Sequence, residues 1–545
     1  MLHRSIIDKV IPILKKDLRR VMRMHVKGFP KPYYASFLMR DNNWFNTWAS
    51  AGSTFRLRSD RSRHVYNDVR VGSYRYDQSI EGGLNEHDEE RESEGYGNVP
   101  IDDKDYDGLR MALWRLSEAK FRESLSEYNQ KESNRISKID PNSKLDSFTK
   151  VKKIVSIKYP RFEYVDKEKW VRFCKSASLW ISKFPHISSS YVDFDLTQET
   201  KIFVNTENSV IVQHHQIFSL TATLRKLTKE GALIERDVII NACTQSELPD
   251  MRTFKKLILQ KYQQLLKLTR AKTIHAFSGP VLLYPLPAGL LFHEAIGHRL
   301  EGSRLLSSGE GQTFKGQTGK PILEVPMSIR DNPRLTKYKG VKCVGAYDYD
   351  DEGVPSKDAL LIKEGMLKGF LNSRSALTRK NYELNGHARN KKLQRPISRM
   401  GVTIVEGNNG LSIDELKDML LDEISEQNKP FGMIVYETAG GETETTRYDF
   451  QAFFGEISFA TLLYPDGKEV CVRGVNFVGT PLQSLNNIIA FGNESEMENH
   501  YCGAESGMIP VTTISPAILI KNLELQAKDE QLQTPYILPR PKMEK

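Results

Sequence analysis

The chain has 545 residues, of which 39% are hydrophobic and 27% charged, a composition typical of folded domains and not of disordered or fibrous proteins. Lysine and arginine (78) exceed aspartate and glutamate (69), but the net charge of +9 is spread along the sequence without a patch of interleaved basic and aromatic residues, so we predict no nucleic-acid partner. No window approaches the roughly 18 consecutive apolar residues of a membrane helix, so we also predict no membrane span.

The five cysteines are odd in number, widely spaced and never arranged as CxxC. This distribution argues against a disulfide framework and favours a reducing compartment, which predicts a cytoplasmic protein. The cysteines are Cys174, Cys243, Cys343, Cys471 and Cys502. One of them is a candidate metal ligand, because thiolates commonly bind transition metals.

Residues 1–130 form the first predicted domain. Residues 1–30 place apolar side chains at helical spacing, interrupted by lysine and arginine, which predicts an amphipathic helix packed on a domain and not a secretory signal. Alternating aromatic and apolar residues over 33–79 predict short strands joined by turns. The acidic, glycine-rich stretch 81–107 lacks the apolar residues of a core, so we predict a surface loop there, followed by a helix over 108–133.

Residues 131–248 form the second predicted domain, which begins with a polar linker. A helix is predicted over 166–183, and period-two alternation over 191–238 predicts a run of antiparallel strands. The adjacent His214 and His215 lie in this run. Neighbouring residues in a strand point to opposite faces, so we interpret this pair as structural and not as a metal site.

Residues 249–545 form the third predicted domain. A charged amphipathic helix over 249–270 is followed by a strand, a turn and a helix over 278–302. The rest is typical of strands and turns, with one clear helix over 412–427 for which Ser412 is the expected N-cap. Together these features predict an α+β fold with two lobes. The N-terminal lobe is of the α/β type, and the C-terminal lobe is mostly antiparallel β and carries the helix of 278–302.

That helix contains the motif HEAIGH, with two imidazoles and a carboxylate at His293, Glu294 and His298. A hydrolytic zinc centre needs about three protein ligands and a carboxylate that takes a proton from water. The familiar spacing is i and i+4, whereas here it is i and i+5, which leaves the two imidazoles about 140° apart on a regular helix. Both can bind one metal only if the turn widens, and a π-type bulge next to Gly297 would achieve this.

The motif alone leaves two questions open. Histidines on an apolar helix are often packed core residues, so a structural role for both competes with metal binding. A third ligand must also come from elsewhere, and Glu301, His387 and Cys502 are the candidates. The remaining candidates among the cysteines, Cys343 and Cys471, fall in strand-like runs and are expected to be core residues.

Four separate segments, in this order along the chain, resemble the TldD/PmbA family, and specifically its TldD branch, which carries HExxxH. The segments are LLFHEAIGHRLEGSR, DDEGVPSKDALLIKEGMLKGFLNSR, RPISRM and YCGAESGMIPVTTISPAILIKNLEL. The resemblance covers most of residues 275–525 and continues more weakly through the N-terminal half.

This resemblance implies a zinc metallopeptidase with His293, His298 and Cys502 as ligands and Glu294 as the general base. It implies that the substrate is an unfolded or extended peptide, added as a strand beside the catalytic sheet. It also implies a dimer, either of identical chains or with a PmbA-like subunit.

Four further residues are candidates for substrate binding. His387 and Arg389 lie in a polar turn flanked by glycine, where they are candidate donors to the oxyanion of the reaction. Gly440 and Gly441 are candidates for the edge of the cleft, where a peptide backbone must approach closely.

Two other functions compete with this hypothesis. One is a non-catalytic subunit that binds peptides or a maturation substrate. The other is a metal-dependent hydrolase of a different carbonyl substrate, because the same chemistry acts on many of them.

Overall fold

The computed structural model describes residues 3–79, 97–137, 145–377, 383–446, 452–528, 532–534 and 538. Residues 81–96 of the predicted acidic loop and residues 138–144 of the predicted linker lie outside these ranges. The helix predicted over 108–133 extends from Asp107 to Ser137, and so it crosses the predicted boundary at residue 130.

The N-terminal lobe consists of one mixed sheet and four helices among the described residues. The strands are β1 (Pro32–Ser50), β2 (Ser53–Val71), β3 (Val155–Ile157), β4 (Ser189–Asn205), β5 (Val210–Leu227) and β6 (Leu233–Ala242). The helices are α1 (Arg4–Val21), α2 (Asp107–Ser137), α3 (Lys167–Ile181) and α4 (Met251–Leu268). The strand order is β2-β1-β4-β5-β3, and β6 pairs with β5, so the first and second predicted domains share one sheet.

The two faces of this sheet differ in character because side chains alternate along each strand. On one face, Phe37 packs in a core with α1 and α2, while Phe45 and Phe194 pack in a second core with α3 and α4. The opposite face turns toward the C-terminal lobe, as shown by the bond from Arg40 to Asp351. It combines buried polar side chains with a small apolar cluster that contains Leu38 and Phe203 and packs against Tyr349.

The C-terminal lobe contains most of the remaining strands. They are β7 (Lys272–Thr273), β8 (Ala276–Leu283), β9 (Met327–Asp331), β10 (Lys337–Tyr338), β11 (Val341–Lys342), β12 (Ala359–Lys363), β13 (Met366–Leu367), β14 (Ala388–Arg389), β15 (Ile397–Ser398), β16 (Val402–Gly407), β17 (Gly432–Thr443), β18 (Phe453–Leu463), β19 (Glu469–Arg473), β20 (Val475–Gly479), β21 (Ile488–Cys502) and β22 (Ile509–Ala527). Its helices are α5 (Pro285–Phe292), α6 (Ile413–Glu426) and α7 (Pro481–Asn486).

Five of these strands close into a ring. β22 pairs with β8, β8 with β17, β17 with β18, β18 with β20, and β20 again with β22. Leu282, Ile434 and Leu519 point from the ring to α6, whereas Leu283 and Val435 point to the core that contains α5. The ring thus holds α5 against β17 and β22.

These observations confirm the predicted α+β class with a C-terminal lobe rich in β structure. Most of its pairings are antiparallel, although β8 pairs in parallel with β17 and β16 with β22. The predicted helix with Ser412 as N-cap is also confirmed, since the Ser412 hydroxyl accepts from the backbone N–H of Glu415. None of the helices in the described ranges is long and apolar enough to cross a bilayer.

Candidate metal centre

The backbone turn at HEAIGH widens at the position that the spacing predicts. α5 begins at Pro285 and ends at Phe292. Residues His293–Gly297 then form a π-turn. The backbone N–H of His298 donates to the carbonyl of His293, the i to i+5 bond that defines such a turn. The wider turn brings the rings of His293 and His298 to the same side, with their centroids 5.0 Å apart.

Gly297 is not present for an unusual backbone conformation, although its conformational freedom indicates such a role. Its φ of −52° and ψ of −56° are ordinary helical values, which any residue adopts. A Cβ atom at this position would lie only 2.2 Å from Sδ of the buried Met400. The space for a side chain at this position is therefore taken by Met400, and the backbone angles do not call for glycine.

Cys502 completes a cluster with the two histidines. Its Sγ lies 3.2 Å from Nε2 of His293 and 3.4 Å from Nε2 of His298, and all three atoms lie within 4.8 Å of one another. All three residues are buried, and Cys502 lies at the end of β21, where pairing with β22 holds it opposite Ile509. Cys343 is buried in a separate core, and the cluster uses neither it nor Cys471.

The thiol of the cluster and its two imidazoles interact electrostatically. Burial alone would raise the pKa of the Cys502 thiol, but His298, Arg399 and His293 outweigh it and hold that pKa well below its usual value. Burial likewise opposes a charge on His298, yet Cys502 and Glu301 raise the pKa of His298 to about 10. Two imidazoles and one thiolate at a shared point form a donor set that fits zinc and leaves a fourth position for water.

Glu294 lies beside the cluster and against β17. Its Oε2 is 3.9 Å from Nε2 of His298, and the residue is buried. A Cβ atom on Gly441 would lie 3.0 Å from Cγ of Glu294, so a glycine at 441 gives this carboxylate its space. At Gly440 a Cβ atom would meet no atom within 4 Å.

Comparisons with known proteins give the family. Residues 278–527 match the domain described as "PmbA/TldA metallopeptidase C-terminal domain", which includes the cluster described above. TldE from Thermococcus kodakarensis, only 13% identical, shares the fold, with a TM-score of 0.60 over 96% of this chain and 100% of that chain. The C-terminal part of the chain belongs to the PmbA/TldD family.

Curated relatives in this family are named as proteases. A "Metalloprotease" from Archaeoglobus fulgidus is 30% identical over 43% of this chain and 50% of its own length. A "Zinc metalloprotease TldD homolog" from Saccharolobus solfataricus is 22% identical over 60% of this chain and 68% of its own length. The match to the first of these relatives spans about half of the relative's length.

Two of the predicted substrate-binding residues, His387 and Arg389, make their contacts outside the metal cluster. His387 is fully buried, with Nε2 3.1 Å from Oδ1 of Asp331 and Nδ1 2.9 Å from Oδ1 of Asn385. Arg389 is also buried and donates to the carbonyls of Met400 and Pro510. No contact among the described residues joins either side chain to the motif, so their part in catalysis stays a prediction.

Arg399 donates hydrogen bonds to the cluster and Glu301 makes an ion-pair contact with it, although the sequence does not predict this role for either. Arg399 is fully buried, and its Nη2 donates to Sγ of Cys502 at 3.2 Å and to the carbonyl of Cys502 at 2.8 Å. Oε1 of Glu301 lies 3.2 Å from Nδ1 of His298 and 3.5 Å from Nε of Arg399. Glu301, considered above as a ligand, instead contacts the ring nitrogen of His298 that points away from the cluster.

His500 is a further neighbour, two residues before Cys502 on β21. Residues two apart in a strand share a face, and this period is the signal that places His500 near the cluster. Its ring centroid lies 5.1 Å from that of His293, and its Nε2 lies 3.0 Å from Oγ1 of Thr513. Burial and the charge on His293 lower the pKa of His500 to about 3, so it is neutral at physiological pH.

Proposed function

We propose that this protein is a zinc-dependent metallopeptidase of the TldD branch that cleaves unfolded or extended peptides. The observation that carries the proposal is the convergence of His293, His298 and Cys502 beside the buried carboxylate of Glu294. The names of the curated relatives support a protease, and one of those names includes zinc.

His293, His298 and Cys502 would hold the zinc ion. When bound there, zinc supplies a Lewis acid that polarises a carbonyl and lowers the pKa of water. Glu294 is placed to accept the proton of the attacking water and to pass it to the leaving amine. Exclusion of bulk water by the buried surroundings strengthens these electrostatic interactions.

The far edge of β17 is the surface that fits an extended peptide. β17 pairs with β8 over Met433–Val435, so its later residues pair with β18 alone among the described strands. A peptide strand can add to such an edge through main-chain hydrogen bonds, which tolerate varied side chains. Gly440 and Gly441 lie on this edge, and the open space at Gly440 supports their predicted place at the cleft. His387 and Arg389 remain candidates for substrate contacts farther from the zinc ligands.

The partner and location are also part of the proposal. We expect a dimer, of identical chains or with a PmbA-like subunit, because the chain shares the family and the TldE fold. We expect a cytoplasmic protein, since all five cysteines are free in the structure.

The decisive experiment compares the wild-type protein with Glu294→Gln, which keeps the size of the side chain and removes its basicity. We expect about one zinc per chain in both, and cleavage of an unfolded protein such as casein only in the wild type. Glu496→Gln, an exposed position on β21, is the matched control and should cleave normally.

The outcomes separate the competing functions. A wild type with zinc that cleaves no peptide would favour the non-catalytic subunit, and cleavage of esters alone would favour a different hydrolase. A wild type without zinc would contradict the metal centre. A Cys502→Ser variant that keeps the wild-type zinc affinity would contradict the third ligand.

A further inference from the structure

A second cluster of charged side chains surrounds a cavity between the two lobes. The cavity has a volume of about 50 Å³ and is lined by residues of β1, β4 and β5 and by segments 344–351, 389–391 and 508–510 of the C-terminal lobe. Since one water needs about 10–15 Å³ of such volume, the space accommodates about three to five water-sized groups. That is the size of a small polar group such as a carboxylate.

Positive charge exceeds negative charge around this cavity. Its cationic side chains are Arg40, Lys201, Arg389 and Lys391, and its carboxylates are Glu199, Asp350 and Asp351. His215 also lines it but adds no charge at neutral pH, because burial lowers the pKa of His215 to about 4.

The carboxylate of Asp350 is bound by groups other than the four cations. Burial and then the neighbouring Glu352 raise the pKa of Asp350 to about 8. Its oxygens accept from the backbone N–H groups of Glu352, Val354 and Ala388 and from the hydroxyl of Ser373. Asp350 is therefore satisfied by backbone and hydroxyl donors and pairs with none of the four cations.

The remaining two carboxylates are shared by two of the cations. Arg40 donates to Glu199 at 2.9 Å and to Asp351 at 3.0 Å, and Lys201 donates to Asp351 at 2.8 Å. These bonds neutralise Arg40 and Lys201 as a group. The buried Nε of Arg40 nevertheless has no hydrogen-bond partner in the described structure.

Arg389 and Lys391 make no ion pair among the described residues. The carboxylates of this cavity that act on them, Asp351 and Glu199, already bond Arg40. Arg389 donates to two carbonyl oxygens and lies over the ring of Tyr347, none of which carries a compensating charge. Lys391 makes no ion pair or side-chain hydrogen bond with any residue that the structure describes. Buried or half-buried cations are costly without a counter-ion, so the cavity favours an anion that enters from outside.

We propose that this cavity is a binding site for a carboxylate, held by Lys391 and Arg389 with Arg40 behind them. The carboxylate can belong to a free small acid or to the carboxyl terminus of a peptide, and the two sources share the same recognition chemistry. The site lies close to the metal centre. The backbone N–H of Lys391 donates to the carbonyl of Ser506, whose hydroxyl accepts from Arg399, the arginine that bonds Cys502. Binding of a free acid does not depend on the proposed peptidase function, whereas a peptide source does.

The test measures binding of N-acetylglycine and N-acetylglycinamide, which differ only in the carboxylate, by calorimetry at constant ionic strength. We expect the acid to bind the wild-type protein and the amide to bind at least about tenfold more weakly. Lys391→Gln should weaken binding of the acid by a similar factor. Lys392→Gln, a change at the exposed neighbour, is the matched control and should bind like the wild type. Zinc content should be equal in all these proteins, which excludes a loss of the metal as the cause.

A second arm uses one extended peptide with a free or an amidated carboxyl terminus, bound to the uncleaving Glu294→Gln protein. If the free form binds at least about tenfold more tightly and Lys391→Gln removes the difference, the peptide terminus is the source. If only N-acetylglycine depends on Lys391, the source is a free small acid. Equal binding of the acid by the wild type and Lys391→Gln, or equal binding of the acid and the amide, would overturn the proposal. Because this arm needs no cleavage, its failure is distinct from a failure of the peptidase function.

Discussion

Arg399 joins Cys502 of the metal centre to the turn that follows β21. Its guanidinium bonds both Sγ and the carbonyl of Cys502, and it also donates to Oγ of Ser506 and the carbonyl of Gly507. It thereby holds the turn that follows β21 while it stabilises the thiolate. Residues that bond the ligands of a metal commonly change its affinity by 10–100-fold.

We expect Arg399→Gln to weaken zinc binding about 10-fold or more, because the thiolate loses its charged donor. Competition with a chromophoric chelator measures the affinity, and the thiolate-to-metal charge-transfer band of the cobalt-substituted protein reports the thiolate itself. Arg334→Gln, at an exposed position, is the control. If Arg399→Gln keeps both the wild-type affinity and the wild-type band position, Arg399 only supports the fold.

Asp195 makes a pH-dependent contribution to the free energy of unfolding. Burial and the adjacent Asp193 raise the pKa of Asp195 to about 7, while Asn46 and Trp44 donate to its carboxylate. A raised pKa in the folded state means that the folded protein binds this proton more tightly than the unfolded chain does. Its contribution is fully present below the ordinary pKa of about 3.8 and is lost as pH rises through about 7.

Asp195→Asn should therefore stabilise the protein more at pH 8.5 than at pH 5.5, because the loss begins near pH 3.8 and is complete only above about 7. Asparagine keeps an oxygen acceptor without the charge, so we expect the gain at pH 8.5 to exceed the gain at pH 5.5 by roughly 1–3 kcal/mol. Urea unfolding at both pH values measures this, with Asp60→Asn at an exposed position of β2 as the control. A gain of equal size at both pH values would show that the proton on Asp195 is not responsible.

At the scale of elements, the π-turn was predictable from residue spacing, but the ligands around it were only partly so. The i and i+5 histidines require a widened turn, and the structure has one at His293–Gly297. The third ligand was not decided by the motif, because Cys502 lies 209 residues from His293 and reaches it only through the pairing of β21 with β22. Arg399 was not predictable either. It lies in a turn, where side chains do not recur at the regular spacing by which a sequence pattern identifies buried positions.

The close contact between Gly297 and Met400 tests the π-turn directly. We expect Gly297→Ala to destabilise the protein by about 1–3 kcal/mol and to weaken zinc binding, because the added methyl displaces a buried side chain. The double variant Gly297→Ala, Met400→Ala should recover zinc affinity relative to Gly297→Ala alone, since it removes the atom that the methyl meets. Metal titration and urea unfolding of the two single variants and the double variant measure this. Additive losses in the double variant would contradict a steric cause.

At the scale of the whole molecule, the division into two lobes was predictable and the contact between them was not. Composition and alternation indicate an N-terminal α/β lobe and a C-terminal β-rich lobe, but they do not indicate which face of the N-terminal sheet turns toward the other lobe. That arrangement depends on long-range pairs such as Asn241 with Asn499, whose side-chain amides exchange hydrogen bonds with the opposite backbone. Such polar pairs produce no regular residue spacing in either segment, so the sequence pattern does not predict them.

Glu437 is the strongest of these links, because it joins β17 to two elements of the N-terminal lobe. Its carboxylate accepts from Arg236 on β6, from Lys261 on α4, and from Gln264 on α4 at 2.8 Å. Burial opposes the charge, but Arg236 and Lys261 outweigh it and lower the pKa of Glu437 below its ordinary value. Because Glu437 precedes Gly440 by three residues, this link also positions the edge of β17 at the metal centre.

We expect Glu437→Gln to destabilise the protein by about 1–3 kcal/mol at pH 7, since it leaves two cations without their shared partner. A lowered pKa makes the contribution of Glu437 complete above its ordinary pKa of about 4.5 and lost only as pH falls below that value. The difference from wild type should therefore be the same at pH 8 and pH 5.5, unlike that of Asp195→Asn. Urea unfolding at both pH values measures it, and Glu442→Gln, an exposed position farther along β17, is the control. If Glu437→Gln unfolds like wild type while peptide cleavage is also unchanged, the lobes are held by other contacts.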